Sequence, residues 1–439
     1  MIHFLFGLLF VIVKEAFIPL FYVLFLSIGA WIFSGNKISK NPLSILTLFF
    51  YLMMYESVSR LLTLDPFVPW ELGKYLSMLL VAILPFRLKF NYEKGNILIG
   101  VLIFMIMLAK GVTWKGFFFN ATIFYVLLFL SSPVSQIKIS KERLIKMLVS
   151  LSLPLFVFVG ASIDKLSNFS TKQYELGSNY ILDAIPSNQI ATYMGLGFFI
   201  WAIPFFESPK NISKSRLRYI IPLAFLFVGL LSFSRGGMIT AAIGLIIILF
   251  GQTVSGRLKQ LLWGFVIVLI SLPLLLYLND VTGGNLFLRY QGETRGTLVG
   301  SKEKTLDTYT TGRVSIFIGD WKTFLENSVI GVEIGESQHY RKDSESQHSH
   351  VELSRVLAEH GILGLMGILG LIRKQINSFR QSNKISSNRF LMLAIWSVGF
   401  VTTFHGATRT IIPLIFMLVG SMMLIEKEKN HKRPVGTKY

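Results

Sequence analysis

Long apolar runs alternate with short polar turns along almost the whole chain of 439 residues. Twelve of these runs have the composition of membrane helices, and they lie at residues 43–56, 71–86, 96–110, 116–131, 144–160, 187–206, 217–233, 236–250, 258–278, 351–372, 389–404 and 409–425. A bilayer is spanned by about 20 mostly apolar helical residues. The pattern predicts an all-α fold, a polytopic integral membrane helical bundle of about 12–14 transmembrane helices.

The predicted number of transmembrane helices ranges from about 12 to 14 because residues 1–33 can be interpreted in two ways. This apolar stretch is interrupted by Lys14, Glu15 and Pro19, and its first half is shorter than one span. A cleaved signal peptide is disfavoured, because a basic start and a small-residue cleavage site are both missing. We interpret residues 2–33 as one long broken span or as a tight pair of spans.

Composition excludes several classes of function. Apolar residues form 52% of the chain and charged residues only 15%, whereas soluble domains have about 25% charged residues. The formal net charge of +19 would suit nucleic-acid binding, but the basic residues lie in short gaps between apolar runs. The absence of cysteine excludes disulfides, thiolate metal sites and cysteine nucleophiles. We expect a single integral membrane domain over residues 1–439.

The basic residues also predict the orientation of the bundle. Every second turn is rich in Lys and Arg, most clearly between Arg373 and Arg389, whereas residues 279–350 are nearly charge-balanced. Cytoplasmic turns of membrane proteins are enriched in Lys and Arg. We therefore expect a cytoplasmic C-terminus, with residues 279–350 forming one large outward-facing loop between two spans.

The middle of this loop has the pattern of a short amphipathic helix. Thr311, Gly312 and Arg313 precede apolar residues at helical spacing, which are Val314, Phe317, Ile318, Trp321, Phe324 and Leu325. We expect the apolar face to lie on the bundle or the membrane surface, and Thr310 or Thr311 to cap the helix. Arginine in a first turn opposes the helix dipole, so Arg313 indicates an anionic partner. The alternative is an interfacial helix with an incidental arginine.

The loop ends in two histidines at the mouth of the next span, His348 and His350. A neutral imidazole there can accept the proton of an attacking hydroxyl group. The alternatives are interfacial histidines without a catalytic task, or a zinc site, for which no third ligand is evident. Just after them, Glu352 and Arg355 have the spacing of an ion-pair ladder that Glu359 can extend.

Two further turns reach the same predicted face. Ser234–Gly237 joins two spans, and its two glycines would allow close helix approach, while Arg235 can hold a phosphate with its planar fork. The commoner role of a lone interfacial arginine is to extend toward lipid headgroups. The last outer turn contributes His405 and Arg409. Five candidates thus share one face: Arg235, Arg313, His348, His350 and Arg409. This combination indicates an anionic lipid-borne substrate, plausibly a pyrophosphate, attacked by a hydroxyl group.

In their order and topological placement these motifs resemble those of the O-antigen ligase/polymerase superfamily of bacterial membrane glycosyltransferases. The resemblance rests on Ser234–Gly237, on Thr311–Arg313 leading to Trp321, on Asn327–Val332, and on His350–Gly361 followed by Gly364. It covers about residues 187–425.

The resemblance implies an activity in bacterial cell-envelope synthesis, such as that of lipopolysaccharide. Members transfer a glycan from an undecaprenyl-pyrophosphate carrier to an acceptor sugar at the outer face of the cytoplasmic membrane. They do so with inversion, without metal and without a cofactor. His350 would be the base, and Arg235 and Arg313 would hold the pyrophosphate. Proximity adds His348 and Arg409 to the site, and Glu352, Arg355 and His405 are assigned supporting roles.

Two departures from the family pattern concern the site. The chain has Gly331–Gly335 where members often have Gly-x-Gly, and Val351 replaces a common Asn. The second departure leaves open which of His348 and His350 is the base.

Two functions of other classes remain as alternatives. One is a transporter or flippase of lipid-linked or anionic saccharides, and the other a non-catalytic partner in a polysaccharide assembly complex. Few mid-span charges and no internal repeat are present, which disfavours transport. Within the enzyme class, a ligase would use a lipid A core as acceptor and a polymerase a growing glycan chain; we favour the ligase.

Overall fold

The computed structural model describes residues 2–12, 27, 42–59, 72–88, 92–167, 187–207, 217–341, 351–382, 386–405 and 411–425. Its elements in chain order are α1 (Ile2–Ile12), α2 (Pro42–Met53), α3 (Tyr55–Ser59), α4 (Leu72–Leu88), α5 (Lys94–Ala109), α6 (Trp114–Asn120), α7 (Thr122–Ser135), β1 (Lys138–Ser140), α8 (Lys141–Ser152), a 3₁₀ turn (Leu153–Leu155), α9 (Phe156–Ser167), α10 (Ser187–Glu207), α11 (Leu217–Leu231), α12 (Arg235–Val254), α13 (Leu258–Val281), α14 (Asn285–Tyr290), α15 (Arg295–Leu298), α16 (Leu306–Thr310), α17 (Arg313–Glu326), a 3₁₀ turn (Ser337–Tyr340), α18 (Glu352–Gln381), α19 (Ser386–Thr402), α20 (Ile412–Gly420) and β2 (Met423–Ile425). Each of the twelve apolar runs overlaps one or more helices.

Several helices are suited to a membrane by length and composition. Five described helices can cross a bilayer, namely Lys141–Ile163, Ser187–Glu207, Arg235–Val254, Gly264–Val281 and Glu352–Gln381, and four shorter apolar helices accompany them. The prediction of an all-α polytopic membrane protein is confirmed. Of residues 1–33, only α1 and residue 27 are described, so the choice between a broken span and a pair lies outside the described residues.

The outer surfaces of these helices are apolar. Leu98 and Met105 on α5, and Leu262, Phe265 and Leu269 on α13, are each half exposed or more. Apolar surface of this extent is rare on soluble monomers and suits contact with lipid chains. The core instead consists of tightly packed aliphatic and aromatic residues from the facing sides of the helices.

Contacts between the turns that connect the helices distinguish the two ends of the bundle. At one end Lys141 pairs with Glu207, which Arg257 also approaches, and Lys374 pairs with Glu93 at 2.5 Å. The same end holds β1 and β2, a parallel pair in which Ile139 faces Leu424. We call this the basic end, defined by Glu93, residues 138–141, Glu207, Arg257 and Lys374. Among the described residues, the short strand pair is the one departure from an all-α fold, and apolar periodicity over three residues cannot indicate it.

The segment 282–341, which joins α13 to the part of the chain before α18, folds over the opposite end. Lys110 Nζ donates to the carbonyl oxygen of Gly331 at 2.7 Å, and the Glu352 amide donates to Thr403 O at 2.9 Å. We call this the loop end, defined by Asn120 and by residues 232–235, 282–341, 351–355 and 403–405. The predicted loop is therefore a structured layer that contains α14–α17.

The amphipathic helix predicted near Arg313 is present as α17, but its capping differs from the prediction. Thr311 and Gly312 both adopt left-handed conformations, with φ of 56° and 80°, and Gly312 is the N-cap. The Thr310 hydroxyl instead donates to carbonyls of α16. Asp307 supplies the missing acceptor, since its Oδ1 accepts from the Ser315 amide at 2.8 Å. A carboxylate at a helix N-terminus is also favourable for the dipole.

The apolar stripe of α17 faces away from the bundle. Phe317, Ile318, Trp321 and Leu325 are 37–60% exposed, which agrees with a position at the membrane surface. The opposite side of the helix buries Ile316 and Phe324 together with Asp320 and Thr323, so its inward face is a mixture of apolar and polar residues.

Buried charges fasten α17 and the loop to α18. Arg341 Nε lies 3.3 Å from Asp320 Oδ1, and the Ser354 hydroxyl donates to Asp320 Oδ2 at 2.7 Å. Within α18, Arg355 donates to Glu352 at 2.6 Å and to Glu359 at 2.7 Å, so the predicted ion-pair ladder is present. These side chains are almost completely buried.

A second attachment uses a break in α18. Gly361 has φ 57° and interrupts the helix, which exposes backbone groups for other partners. The Ile362 amide donates to Ser328 O at 2.7 Å, and the Val332 amide donates to Ala358 O at 2.8 Å. A Cβ on Gly331 would lie 2.3 Å from Glu359 O, so only glycine fits there. The sequence motif 327–332 is therefore the docking strip for the broken helix.

The glycines of the Ser234–Gly237 motif lie inside the first turn of α12 and allow it to contact α10. A Cβ on Gly237 would lie 2.1 Å from the carbonyl oxygen of Ala191, and a Cβ on Gly195 would lie 2.3 Å from Gly237 O. The close approach expected from the two glycines is therefore present, since the backbones meet without intervening side chains.

We expect Gly237→Ala to destabilise the bundle, because the methyl group would force α10 and α12 apart. Overpacking of this kind costs about 1–3 kcal/mol. The matched control is Gly95→Ala on α5, where nothing lies within 4 Å of the added methyl group. Thermal unfolding in detergent should show a lower Tm for Gly237→Ala only; equal Tm values would contradict the packing described.

Asp320→Ala should destabilise more strongly, because it leaves the Arg341 guanidinium buried without its carboxylate. Breaking a buried pair costs about 3–5 kcal/mol. Glu336→Ala provides the control, since Glu336 pairs with His339 at an exposed site where the loss should be below about 1 kcal/mol. Tm measurements on both variants test this, and a similar small effect for the two would show that the buried pair does not hold the loop.

Candidate functional site

A cleft of about 450 Å³ opens at the loop end between α12, α17 and the turn after α19. It is lined by Arg235, Gly236, Ile239 and Thr240 of α12, by Tyr309, Thr310, Arg313, Val314 and Phe317 of the loop layer, and by Val351, Val401, Phe404 and His405. Most of this lining is apolar, and its cations come from two separate elements. The cleft therefore combines an apolar wall with a charged corner.

Arg235 is the first residue of α12 and does not extend to the surface. It is only 8% exposed, its Nη2 donates to the carbonyl oxygen of Tyr309, and its guanidinium lies 4.5 Å from the centre of the Tyr309 ring. Its Nη1 is buried and has no hydrogen-bond partner within the described residues. The alternative of an arginine extended to lipid headgroups is thereby excluded for this conformation.

Arg313 and a residue that the sequence analysis did not single out, Arg289, complete a cluster of cations. Burial, and then the positive charges of Arg235 and Arg289, lower the pKa of Arg313 to about 10. Burial and the charge of Arg235 likewise lower the pKa of Arg289. Arg289 Nε donates to Phe233 O at 3.1 Å, two residues before Arg235. We call Arg235, Arg289 and Arg313 the arginine cluster.

No carboxylate of the described residues pairs with the arginine cluster. The nearest acidic residues in the sequence are engaged elsewhere: Glu293 accepts from Lys304 at 2.7 Å and from Thr297 at 2.6 Å, and Asp307 caps α17. Three like charges without a counter-charge repel one another. The corner of the cleft therefore carries positive charge that no described carboxylate balances.

No sequence motif marks Arg289 as a functional residue. It lies at the end of the six-residue helix α14, 56 positions from its partner Phe233. Its neighbour Tyr290 has a hydroxyl group buried without a partner among the described residues, and burial raises its pKa. The available signal was one of four basic residues in the Gly-rich stretch 283–304, which is too common to be specific.

His405, expected as a supporting residue, also lies in the cleft. Its Nε2 is 2.7 Å from the Thr240 hydroxyl, and its Nδ1 is buried without a partner among the described residues. Burial, and then the charge of Arg313, lower the pKa of His405 to about 3, so the ring is neutral. A Cβ on Gly236 would lie 2.5 Å from the imidazole, which explains why glycine follows Arg235.

The other expected site residues divide into two groups. His348, His350 and Arg409 lie outside the described residues. Glu352 and Arg355 do not line the cleft, and their buried pair holds the start of α18 beside Val351, which does line it. Arg355 also donates to Asn120 O at 2.9 Å, so it joins α18 to α6. Within the described residues, no cluster of three or more His, Asp or Glu side chains could hold a metal ion.

Comparison with models of protein families gives a match to part of the chain. Residues 220–369 match a family model described as O-antigen ligase, a stretch that extends from α11 into α18 and includes all three arginines of the cluster. No curated protein sequence matches the chain significantly. The matched residues contain the motifs around Arg235, Arg313 and residues 327–361 that carried the resemblance. The match covers about a third of the chain, and over these residues the chain is similar to the O-antigen ligase family, which supports the resemblance to the O-antigen ligase/polymerase superfamily.

Proposed function

We propose that this protein transfers a glycan from an undecaprenyl-pyrophosphate carrier to a hydroxyl group of an acceptor sugar. The observation that carries the proposal is the arginine cluster, of which Arg235 and Arg313 line a mostly apolar cleft and for which no described carboxylate is a partner. The family match supports a lipid-linked saccharide as donor.

A pyrophosphate fits the cluster by charge and geometry. Guanidinium groups bind phosphate oxygens through two parallel hydrogen bonds, and the free Nη1 of Arg235 is one available donor. When the bond between the sugar and the pyrophosphate breaks, negative charge grows on the leaving phosphate oxygen. Cations already fixed in a site of low dielectric constant stabilise that charge more than they stabilise the substrate.

The apolar wall of the cleft supports a lipid-linked donor. Ile239, Val314, Phe317 and Phe404 lie beside the charged corner, and the exposed stripe of α17 begins at Phe317. A soluble nucleotide sugar would offer nothing to cover this surface. An isoprenoid chain at the membrane interface would bury it, and burial is worth about 25 cal/mol per Å² of apolar area.

The proposed reaction inverts the anomeric carbon and needs no metal. The acceptor oxygen attacks that carbon, the bond to the pyrophosphate breaks, and undecaprenyl pyrophosphate leaves. His350 accepts the proton of the acceptor hydroxyl, with His348 as the second candidate; the chain continues from His350 into Val351, which lines the cleft. General base catalysis of this kind contributes typically ~10²–10⁴-fold. Arg409, four residues after His405, is assigned to the same face.

We place the loop end at the outer face of the bacterial cytoplasmic membrane, with the basic end and the C-terminus in the cytoplasm. The support is the gathering of Lys141, Arg257 and Lys374 at one end, as the distribution of cytoplasmic basic residues leads one to expect. The cleft lies at one end of the bundle, whereas transporters bind their substrates near the midplane. This position favours catalysis over transport.

A transfer assay with purified protein tests the function. Undecaprenyl-pyrophosphate-linked glycan would be supplied with and without a lipid A core acceptor, beside His350→Ala and EDTA controls. Product on the core, lost in His350→Ala but not with EDTA, would show a metal-independent ligase, which is the outcome we expect. Longer carrier-linked chains would show a polymerase. The proposal would be contradicted if neither product formed in a way that depends on His350.

Replacement of single arginines by lysine tests the pyrophosphate role. We expect Arg235→Lys, Arg289→Lys and Arg313→Lys each to lower kcat/KM, by about 10²-fold for Arg235, because a point charge cannot replace the bidentate fork. Arg295→Lys is the matched control, since this arginine is exposed on α15 and does not line the cleft. Full activity of Arg235→Lys at equal expression would remove the arginine cluster from the mechanism.

A further inference from the structure

The cleft contains two buried polar atoms that have no partner among the described residues, and they differ in kind. Arg235 Nη1 is a hydrogen-bond donor, and His405 Nδ1 belongs to a ring that is 6% exposed. Buried polar atoms are almost always paired, so an unpaired one at a cleft indicates a missing ligand group. The arginine is accounted for by the proposed pyrophosphate, whereas the histidine is not.

The hydrogen-bond network assigns the role of each imidazole nitrogen. A threonine hydroxyl has one hydrogen to donate. Thr240 donates it to the carbonyl oxygen of Gly236, 2.9 Å away and one helical turn back. With the Thr240 hydrogen given to Gly236, we assign the hydrogen of the 2.7 Å contact between Thr240 and His405 to Nε2 of the imidazole. In the neutral ring, Nδ1 then has no hydrogen and presents a lone pair.

A lone pair on Nδ1 determines which chemical group of a ligand can bind there, because it accepts a hydrogen bond and cannot donate one. Phosphate oxygens are hydrogen-bond acceptors, so they gain nothing from Nδ1 and are repelled by it. A hydroxyl group can donate to it. The donor glycan carries its hydroxyl groups directly beside the pyrophosphate, and the acceptor sugar must bring a hydroxyl group to the same place.

We propose that His405 Nδ1 accepts a hydrogen bond from a sugar hydroxyl group bound next to the arginine cluster, with Thr240 fixing the tautomer. This inference rests on the proposed function, because it assumes a saccharide beside the pyrophosphate. His405 is then a substrate-binding residue that orients the glycan, and Thr240 is a positioning residue. The proton of the reacting hydroxyl is not transferred to His405, whose weakly basic ring remains neutral.

Two amide replacements of His405 separate the roles of its nitrogens. In His405→Asn the side-chain oxygen can take the position of Nδ1 and accept a hydrogen bond, whereas His405→Gln reaches toward Thr240 and leaves the Nδ1 position empty. We expect kcat/KM of the Asn variant to exceed that of the Gln variant by about 10-fold, the worth of one well-placed hydrogen bond. The control is His339→Gln, which changes an exposed histidine outside the cleft.

Binding measurements identify the source of the hydroxyl group. The probes are undecaprenyl pyrophosphate, the same carrier bearing the glycan, and the acceptor saccharide alone, each tested by thermal stabilisation of wild type and variants. His405→Gln should bind the bare carrier like wild type. It should bind the glycan-bearing carrier less tightly if the hydroxyl belongs to the donor, or the acceptor saccharide less tightly if it belongs to the acceptor.

Several outcomes would overturn the inference. Equal kcat/KM for the Asn and Gln variants would do so, and so would weaker binding of the bare carrier by His405→Gln, which would assign the ring to the pyrophosphate. If both variants unfold, Thr240→Ser and Thr240→Val take their place: only the valine variant should weaken saccharide binding, and equal effects would count against the role of Thr240. Wild-type protein that neither binds undecaprenyl pyrophosphate nor transfers glycan would instead refute the proposed function.

Discussion

Arg355 lies between two carboxylates of its own helix and donates to the carbonyl oxygen of Asn120 at 2.9 Å, so one side chain joins the start of α18 to α6. The loop layer is attached to α18 through Asp320, which pairs with Arg341 inside the layer and accepts a hydrogen bond from the Ser354 hydroxyl of α18. Charges buried in this way are costly unless each has a partner, and removal of one partner is strongly destabilising. The position of the loop layer, and with it the wall that α17 supplies to the cleft, therefore depends on this attachment.

The arginine cluster shows the opposite arrangement. Behind the cleft, Arg341 and Arg355 each pair with a carboxylate. The arginine cluster, of which Arg235 and Arg313 line the cleft, has no carboxylate partner among the described residues. In the proposed function, the arginines without a carboxylate are the ones that bind the ligand. Because their guanidinium groups are already fixed in position, they need not reorganise during the proposed reaction and can stabilise the negative charge of the leaving pyrophosphate.

Glycines determine how closely these groups approach. Gly236 admits the ring of His405 beside α12, and Gly237 allows the backbones of α10 and α12 to meet. Where α18 contacts the loop layer, Gly361 breaks the helix, and backbone groups beside the break form hydrogen bonds with residues 328–332. The sequence shows that these positions are glycine, but the neighbour that requires it comes from a distant part of the chain in each case. Only packing reveals which residue would collide with a side chain.

The sequence alone determined the helical membrane fold, the position of α17 and the ion-pair spacing in α18, because each depends on periodicity along one segment. It also indicated Arg235 and Arg313 through local motifs. The cap of α17, the strand pair β1–β2 and the participation of Arg289 were decided by tertiary structure. Asp307 caps a helix that begins six residues later, and Arg289 reaches the carbonyl of Phe233 from 56 positions away. Contacts between distant segments leave no periodic signal, so the chain had to fold before these residues could be assigned.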